Sequence, residues 1–153
     1  MFGKTLTQYL RFQKVVLVLI VLAFLVRLTL SLAGTPNSVG KWVSVTVVLL
    51  AGIVYYGVAV HTRGFGSYKQ LYPLVLLQSL LGEGLVALAI VLAIVTGTDN
   101  IYTAPEFSGG GDGKNWLHVV AHLVVGAVVF PLISWGVSSV VMLVTKKVAP
   151  RTA

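Results

Sequence analysis

The chain has 153 residues, of which 57% are hydrophobic and 10% charged, with a net charge of +7 and a mean hydropathy of +0.95. A water-soluble domain carries about 25% charged residues, so this composition excludes a soluble globular domain. The high hydrophobicity also excludes an intrinsically disordered chain. Because the chain has no cysteine, disulfides, thiolate metal sites and cysteine nucleophiles are excluded as well. The composition therefore predicts an integral membrane protein.

Four apolar stretches are long enough to cross a bilayer as helices, which takes about 20 residues each. Their runs are continuous and lack the strict alternation of membrane β-strands, so they predict helices. The predicted spans cover residues 15–33, 42–60, 73–95 and 117–144. The first three are joined by short links and the last by a longer loop, 96–116. This pattern predicts an all-α, up-down-up-down four-helix bundle that forms one domain over residues 1–153.

The basic residues predict how the bundle is oriented in the membrane. Most of the 11 lysines and arginines fall on one side: Lys4, Arg11, Lys14, Arg63, Lys69, Lys146, Lys147 and Arg151. Basic residues close to span ends favour the cytoplasmic side, so both termini are expected in the cytoplasm, with the cell (inner) membrane as the location. The same distribution accounts for the net positive charge. We therefore expect contact with membrane lipid headgroups and no binding of nucleic acid.

The 96–116 loop is the largest polar segment of the sequence. It contains Asp99 and a glycine-rich run at 109–113, but the spacing of its carboxylates fits no EF-hand calcium loop. We expect a linker. Three aromatic residues near the outer span ends are predicted to anchor helices at the membrane interface: Trp42, Tyr102 and Trp116.

Pro131 lies near the middle of the fourth span. Proline removes one backbone donor, which predicts a kink. Ser134 and Ser138 follow one turn apart, and their hydroxyls can pair freed carbonyls or permit close helix contact. The sequence therefore predicts a kinked helix that packs closely against a neighbour.

The few ionisable residues inside the spans are the candidate functional residues, because such groups are costly in the membrane. With a rise of 1.5 Å per residue, Arg27 lies roughly 9 Å and His122 roughly 7 Å below the outer boundary, and Glu83 roughly 18 Å below it. Arg27 has a side chain long enough to bridge much of that difference. The sequence predicts that these three residues, with Gln78 deeper in the third span, bind or transport a small polar ligand or relay protons.

Two further interpretations of these residues stay open from the sequence. In the first, Arg27 extends towards the membrane surface and pairs with Glu83 for structural reasons alone. In the second, a protonated Glu83 forms only a hydrogen bond between helices. A different class of function is also possible, in which the small chain is an accessory or scaffolding subunit of a larger membrane complex. A homo-oligomer or a complex subunit is expected in either class.

The histidines allow a third kind of function. His118 and His122 lie one turn apart on one helix face, so they can supply two metal ligands, with Glu83 as a third. Alternatively, either can be an axial haem ligand. The sequence lacks the HExxH zinc motif, and His61 lies at the opposite side of the membrane. Metal and haem are therefore the less favoured alternatives, and no cofactor is predicted. Since no catalytic motif is present, the sequence favours a protein that is not an enzyme.

Overall fold

The computed structural model describes residues 1–149, and in that range it is all-helical without strands. Four of its helices are long and apolar enough to cross a membrane, as the composition predicts. The first is α1 (Leu6–Leu32). The second joins a short helix, α2 (Asn37–Gly40), to α3 (Val45–Thr62). The third is α4 (Tyr68–Thr96), and the fourth comprises α5 (Trp116–Ala121), a π-helix (His122–Val129) and α6 (Phe130–Val148).

Helix ends lie beyond the predicted apolar stretches because capping, and not hydropathy, determines where a helix begins. In α1, the Thr5 hydroxyl accepts from the Gln8 backbone N–H at 3.3 Å, and the Gln8 side chain accepts from the Thr5 N–H at 2.8 Å. This reciprocal pair satisfies two donors that a helix start leaves free. The helix therefore starts at Leu6 instead of residue 15. At the other end of a span, α4 stops at Thr96 because the next residue, Gly97, has a φ of +71°, a left-handed conformation that suits glycine.

The centre of the bundle is built around α4, which packs against α1, α3 and α6. The largest buried apolar side chains come from every span: Tyr9, Ile20, Leu49, Tyr56, Leu71, Leu74, Ile90 and Met142. Many other large apolar residues, such as Leu22, Val54 and Leu88, are about half exposed. Apolar residues exposed in this way on every span are what a lipid-facing surface requires.

Small residues bring α3 and α6 into close contact. A Cβ atom at Gly57 would lie 2.7 Å from the Ser138 carbonyl oxygen, so only glycine fits there. The Ser138 hydroxyl donates to the Ile53 carbonyl at 3.0 Å. Ser134 is also buried, but its hydroxyl has no hydrogen-bond partner among residues 1–149. Both serines therefore lie inside the bundle instead of on the lipid-facing surface.

The fourth span changes its helical geometry just before Pro131. The π-helix ends where the Phe130 N–H bonds the Val125 carbonyl, five residues back, and Pro131 stands in the first turn of α6. Proline cannot donate to the carbonyl of Ala127, four residues back. π-Segments within α-helices occur frequently at functional sites, and this one begins at His122.

Candidate functional site

Glu83 and His122 form a direct pair between α4 and the π-helix. Glu83 Oε2 lies 2.6 Å from His122 Nδ1, and both side chains are partly buried. The pair fits because residue 126, one turn after His122, is glycine. A Cβ atom there would lie 2.6 Å from the Glu83 carboxylate. The π-helix thus approaches α4 closely at the point where the carboxylate lies.

The pair is extended by His118 into a line of hydrogen-bonded groups. The Nε2 atoms of His118 and His122 lie 3.2 Å apart, and His118 Nδ1 lies 3.0 Å from the carbonyl oxygen of Gly113. The line therefore runs from the 97–115 loop, through two imidazoles, to a carboxylate on α4. Such a line can pass a proton from one group to the next.

The hydrogens that this line requires can be counted. If its three contacts, Gly113 to His118, His118 to His122 and His122 to Glu83, are all hydrogen bonds, each needs one hydrogen. Two neutral imidazoles supply only two, and an ionised carboxylate or a carbonyl supplies none. The third hydrogen is therefore an additional proton, held either on Glu83 or by one imidazole as imidazolium. In each arrangement the net charge of Glu83, His118 and His122 together is zero.

Arg27 is buried, with 7% of its surface exposed, and is enclosed by aromatic rings. Its guanidinium carbon lies 5.1 Å from the Tyr102 ring centre and 4.9 Å from that of Phe107, distances typical of cation–π contacts. Among residues 1–149, no carboxylate lies within 4.0 Å of the guanidinium, and Arg27 Nε has no hydrogen-bond partner. The structural interpretation that paired Arg27 with Glu83 is thus wrong, because Glu83 pairs with His122. The guanidinium extends towards the 97–115 loop, in which both of these rings lie.

Tyr102 covers Arg27 and does not anchor the chain at the membrane interface. Its side chain is 6% exposed, whereas Trp42 and Trp116 are 80% and 60% exposed, as an interfacial position requires. Burial raises the pKa of Tyr102 to about 12, although the nearby Arg27 charge opposes this shift. The phenol is therefore neutral, and its hydroxyl lies close enough to the Arg27 guanidinium to be influenced by a side-chain contact with it, although no hydrogen bond of good geometry forms within residues 1–149.

These groups surround a cavity of about 150 Å³. Its lining consists of Arg27, Val45, Thr46, Glu83, Val86, Tyr102, Phe107 and His122. Three of the predicted site residues, Arg27, Glu83 and His122, therefore meet at one space. Gln78 does not line it, because its amide is buried between helices and donates to the Leu49 carbonyl at 3.1 Å. We call this space the arginine cavity.

A second, larger space of about 430 Å³ lies beside the arginine cavity. It is lined by Thr46, Glu83, His118, Ala121, His122, Val125, Gly126 and Phe130. Thr46, Glu83 and His122 line both spaces. The Glu83–His122 pair therefore faces the arginine cavity and this mostly apolar groove.

Within residues 1–149 the histidines do not belong to a three-ligand metal site. No group of three histidine, cysteine, aspartate or glutamate side chains in that range can hold a metal ion. Glu83 and His118 contact opposite nitrogen atoms of His122, so the three groups form a line instead of converging on one point. His61 bonds the Ala149 carbonyl, far along the chain from this line.

Sequence reasoning missed several residues of the site. Gly126 had a detectable signal, since it follows His122 by four residues and shares its helix face. Tyr102 and Phe107 had no signal in the sequence, because no periodicity relates the 97–115 loop to Arg27 on α1. No protein-family model, no curated protein and no solved structure matches the chain.

Proposed function

We propose that this protein is a small four-span membrane protein that binds a small polar ligand in the arginine cavity and transports it, or protons, across the membrane. In this proposal the spans run up-down-up-down with both termini in the cytoplasm. The basic residues flanking the spans support that orientation. The arginine cavity then lies in the outer half of the membrane.

The observation that carries the proposal is a buried guanidinium that faces a cavity and has no carboxylate partner among residues 1–149. A purely structural arginine in the membrane is expected to pair with an acidic residue. Arg27 instead lies under the loop aromatics Tyr102 and Phe107. A polar molecule in the cavity would provide the missing partner, and the Glu83–His122 pair beside it can exchange protons with that molecule.

The test uses purified protein in lipid vesicles that contain a pH-sensitive dye. We expect an imposed membrane potential or pH gradient to drive proton movement faster than in protein-free vesicles, alone or with an added panel of small polar compounds. Glu83→Gln should lower the rate to that of protein-free vesicles, because an amide cannot accept the proton. The variant should keep the wild-type helical content and melting temperature.

Gln78→Leu is the matched control, because Gln78 lies on the same helix but outside the cavity. It should retain proton movement. If Glu83→Gln moves protons and ligands at the wild-type rate, the proposed site is wrong.

A further inference from the structure

The charge around the arginine cavity identifies the class of ligand, an argument that rests on the proposed function. Arg27 contributes one positive charge, because arginine stays protonated in proteins. Glu83, His118 and His122 together contribute zero when all three of their close contacts are hydrogen bonds. Tyr102 is neutral, and the other lining residues are uncharged. The arginine cavity therefore carries one uncompensated positive charge.

We infer that the arginine cavity binds a small monoanion of the carboxylate class, together with one proton held by Glu83, His118 and His122. A buried charge without a partner is strongly unfavourable, and a monoanion would neutralise this one. A dianion such as phosphate would replace one unbalanced charge with the opposite one. The net charge therefore selects monoanions over both neutral molecules and dianions.

The available donors match a carboxylate. The planar guanidinium of Arg27 can donate to both oxygens of such a group, and its Nε atom has no partner among residues 1–149. The Tyr102 hydroxyl lines the same space and lies beside the guanidinium; because arginine only donates, the phenol keeps its own hydrogen to offer a ligand. The volume of about 150 Å³ corresponds to roughly five water molecules at about 30 Å³ each, so the acid fits only if it has few atoms.

The proton and the anion depend on each other. If the additional proton leaves, the charge of the three-residue line becomes −1 and cancels that of Arg27, so the cavity no longer attracts an anion. The titratable and charged groups that face this line or the cavity are Arg27 on α1, Glu83 on α4, Tyr102 in the loop and the two histidines of the fourth span; α3 contributes only uncharged residues. Because such coupling is reciprocal, the anion also strengthens proton binding. Rising pH therefore weakens the binding of the anion.

The carboxylate can come from water or from the bilayer. The 430 Å³ groove shares three lining residues with the arginine cavity, so a fatty acid could place its carboxylate by Arg27 and its chain in the groove. A small acid dissolved in water would use the arginine cavity alone. The chemistry at Arg27 is the same in both cases.

The test is calorimetric titration of the full chain in phospholipid nanodiscs with acetate, octanoate and acetamide. We expect acetate or octanoate to bind and acetamide, the neutral isostere of acetate, not to bind. Binding should weaken by about tenfold or more as pH rises from mildly acidic to mildly alkaline. Repeating the titration in buffers of different ionisation enthalpy should show about one proton taken up per anion at the alkaline end. Acetate binding identifies an acid from water, and a requirement for octanoate identifies one from the bilayer.

Three variants test the assignment of charge. Arg27→Gln should lose binding, and Arg27→Lys, which keeps the charge but not the planar donor pair, should bind more weakly. In Glu83→Gln the three-residue line stays neutral without the additional proton, so affinity should no longer fall as pH rises and proton uptake should disappear. The melting temperature of each variant shows whether it folds.

The two proposals can fail separately. If acetamide binds as tightly as acetate and Arg27→Lys binds like the wild type, the monoanion inference is wrong, although a polar site remains. If no compound binds and vesicles with wild-type protein move protons no faster than empty ones, the proposed function fails as well.

Discussion

Two regions of the bundle place polar side chains at membrane depth, and they differ in what those side chains face. The first, which we call the packed polar region, consists of Gln13, Tyr56, Gln78 and Ser138. There the Tyr56 hydroxyl donates to Gln13 at 3.0 Å, and Gln78 and Ser138 donate to backbone carbonyls. The second is the arginine cavity, where the ionisable groups surround a space.

The difference lies in charge as well as in packing. Within residues 1–149 the packed polar region leaves Gln13 Nε2 and Gln78 Oε1 without partners, but both belong to neutral amides, whose burial costs far less than that of a charge. In the arginine cavity the guanidinium has aromatic neighbours but no carboxylate partner among the same residues. Neutral polar residues between tightly packed helices are thus consistent with a structural role, whereas the buried charge beside a cavity is the basis of the proposed ligand site. Substitutions can test this distinction.

The largest effect is expected where the packed polar region is most crowded. Gly57→Ala would place a Cβ atom 2.7 Å from the Ser138 carbonyl oxygen and from Val141, so α3 and α6 would have to move apart. Overpacking of this kind costs about 1–3 kcal/mol, and a backbone neighbour favours the upper end. The melting temperature in detergent should fall clearly. Gly136→Ala is the control, because a Cβ atom there has open space around it, and its melting temperature should match that of the wild type.

A smaller loss of stability but a specific loss of function is expected from Gly126→Ala. Its Cβ atom would lie 2.6 Å from the Glu83 carboxylate, which is the mobile end of a side chain and can turn away. The cost in stability should be about 1 kcal/mol, while the Glu83–His122 contact breaks and proton movement in vesicles slows.

Gly84→Ala is the matched control for Gly126→Ala, because it lies next to Glu83 but has open space around it. It should keep wild-type proton movement. Equal rates in Gly126→Ala and Gly84→Ala would show that the contact between Glu83 and His122 is not needed for function.

Gln78→Leu tests whether the packed polar region is only structural. The substitution removes a hydrogen bond to the Leu49 carbonyl, and such contacts in membranes average about 0.6 kcal/mol. We expect a small fall in melting temperature and no change in acetate binding. Loss of acetate binding in a folded Gln78→Leu protein would contradict the separation of the two regions.

The sequence predicts the helical class and four helices able to cross a membrane, because both follow from the accumulated hydropathy of long segments. It also singles out Arg27, Glu83 and His122, since ionisable residues are rare in such segments and the helical rise estimates their depth. The partners of these residues were predicted less well. Depth alone cannot distinguish Arg27 from His122 as the partner of Glu83, because that choice depends on how helices rotate about their axes.

The missed loop residues have a different physical cause. Tyr102 and Phe107 reach Arg27 only because the 97–115 loop folds back over the bundle, and this path is fixed by long-range contacts such as the Ile101 N–H bonded to the Ser31 hydroxyl at 2.8 Å. Local sequence patterns do not encode long-range contacts of this kind. An aromatic residue near a span end thus has the same sequence pattern whether it anchors at the interface or covers a buried charge.

The smallest effect is expected at the surface of the loop, where water weakens each contact. The Asn37 side chain donates to Glu106 at 2.8 Å, and this bond, followed by one from the backbone, lowers the pKa of the exposed Glu106 carboxyl. A carboxyl whose pKa is lowered in the folded state stabilises the fold at pH values above its pKa in the unfolded chain. This stabilisation is lost as the pH falls through the lowered pKa. In Asn37→Ala the pKa of Glu106 should rise towards its ordinary range, as measured by NMR titration of the side-chain carbon, while the melting temperature and acetate binding stay at wild-type values. An altered acetate affinity in this variant would mean that the loop surface, and not the buried charge of Arg27 alone, determines how the cavity binds its ligand.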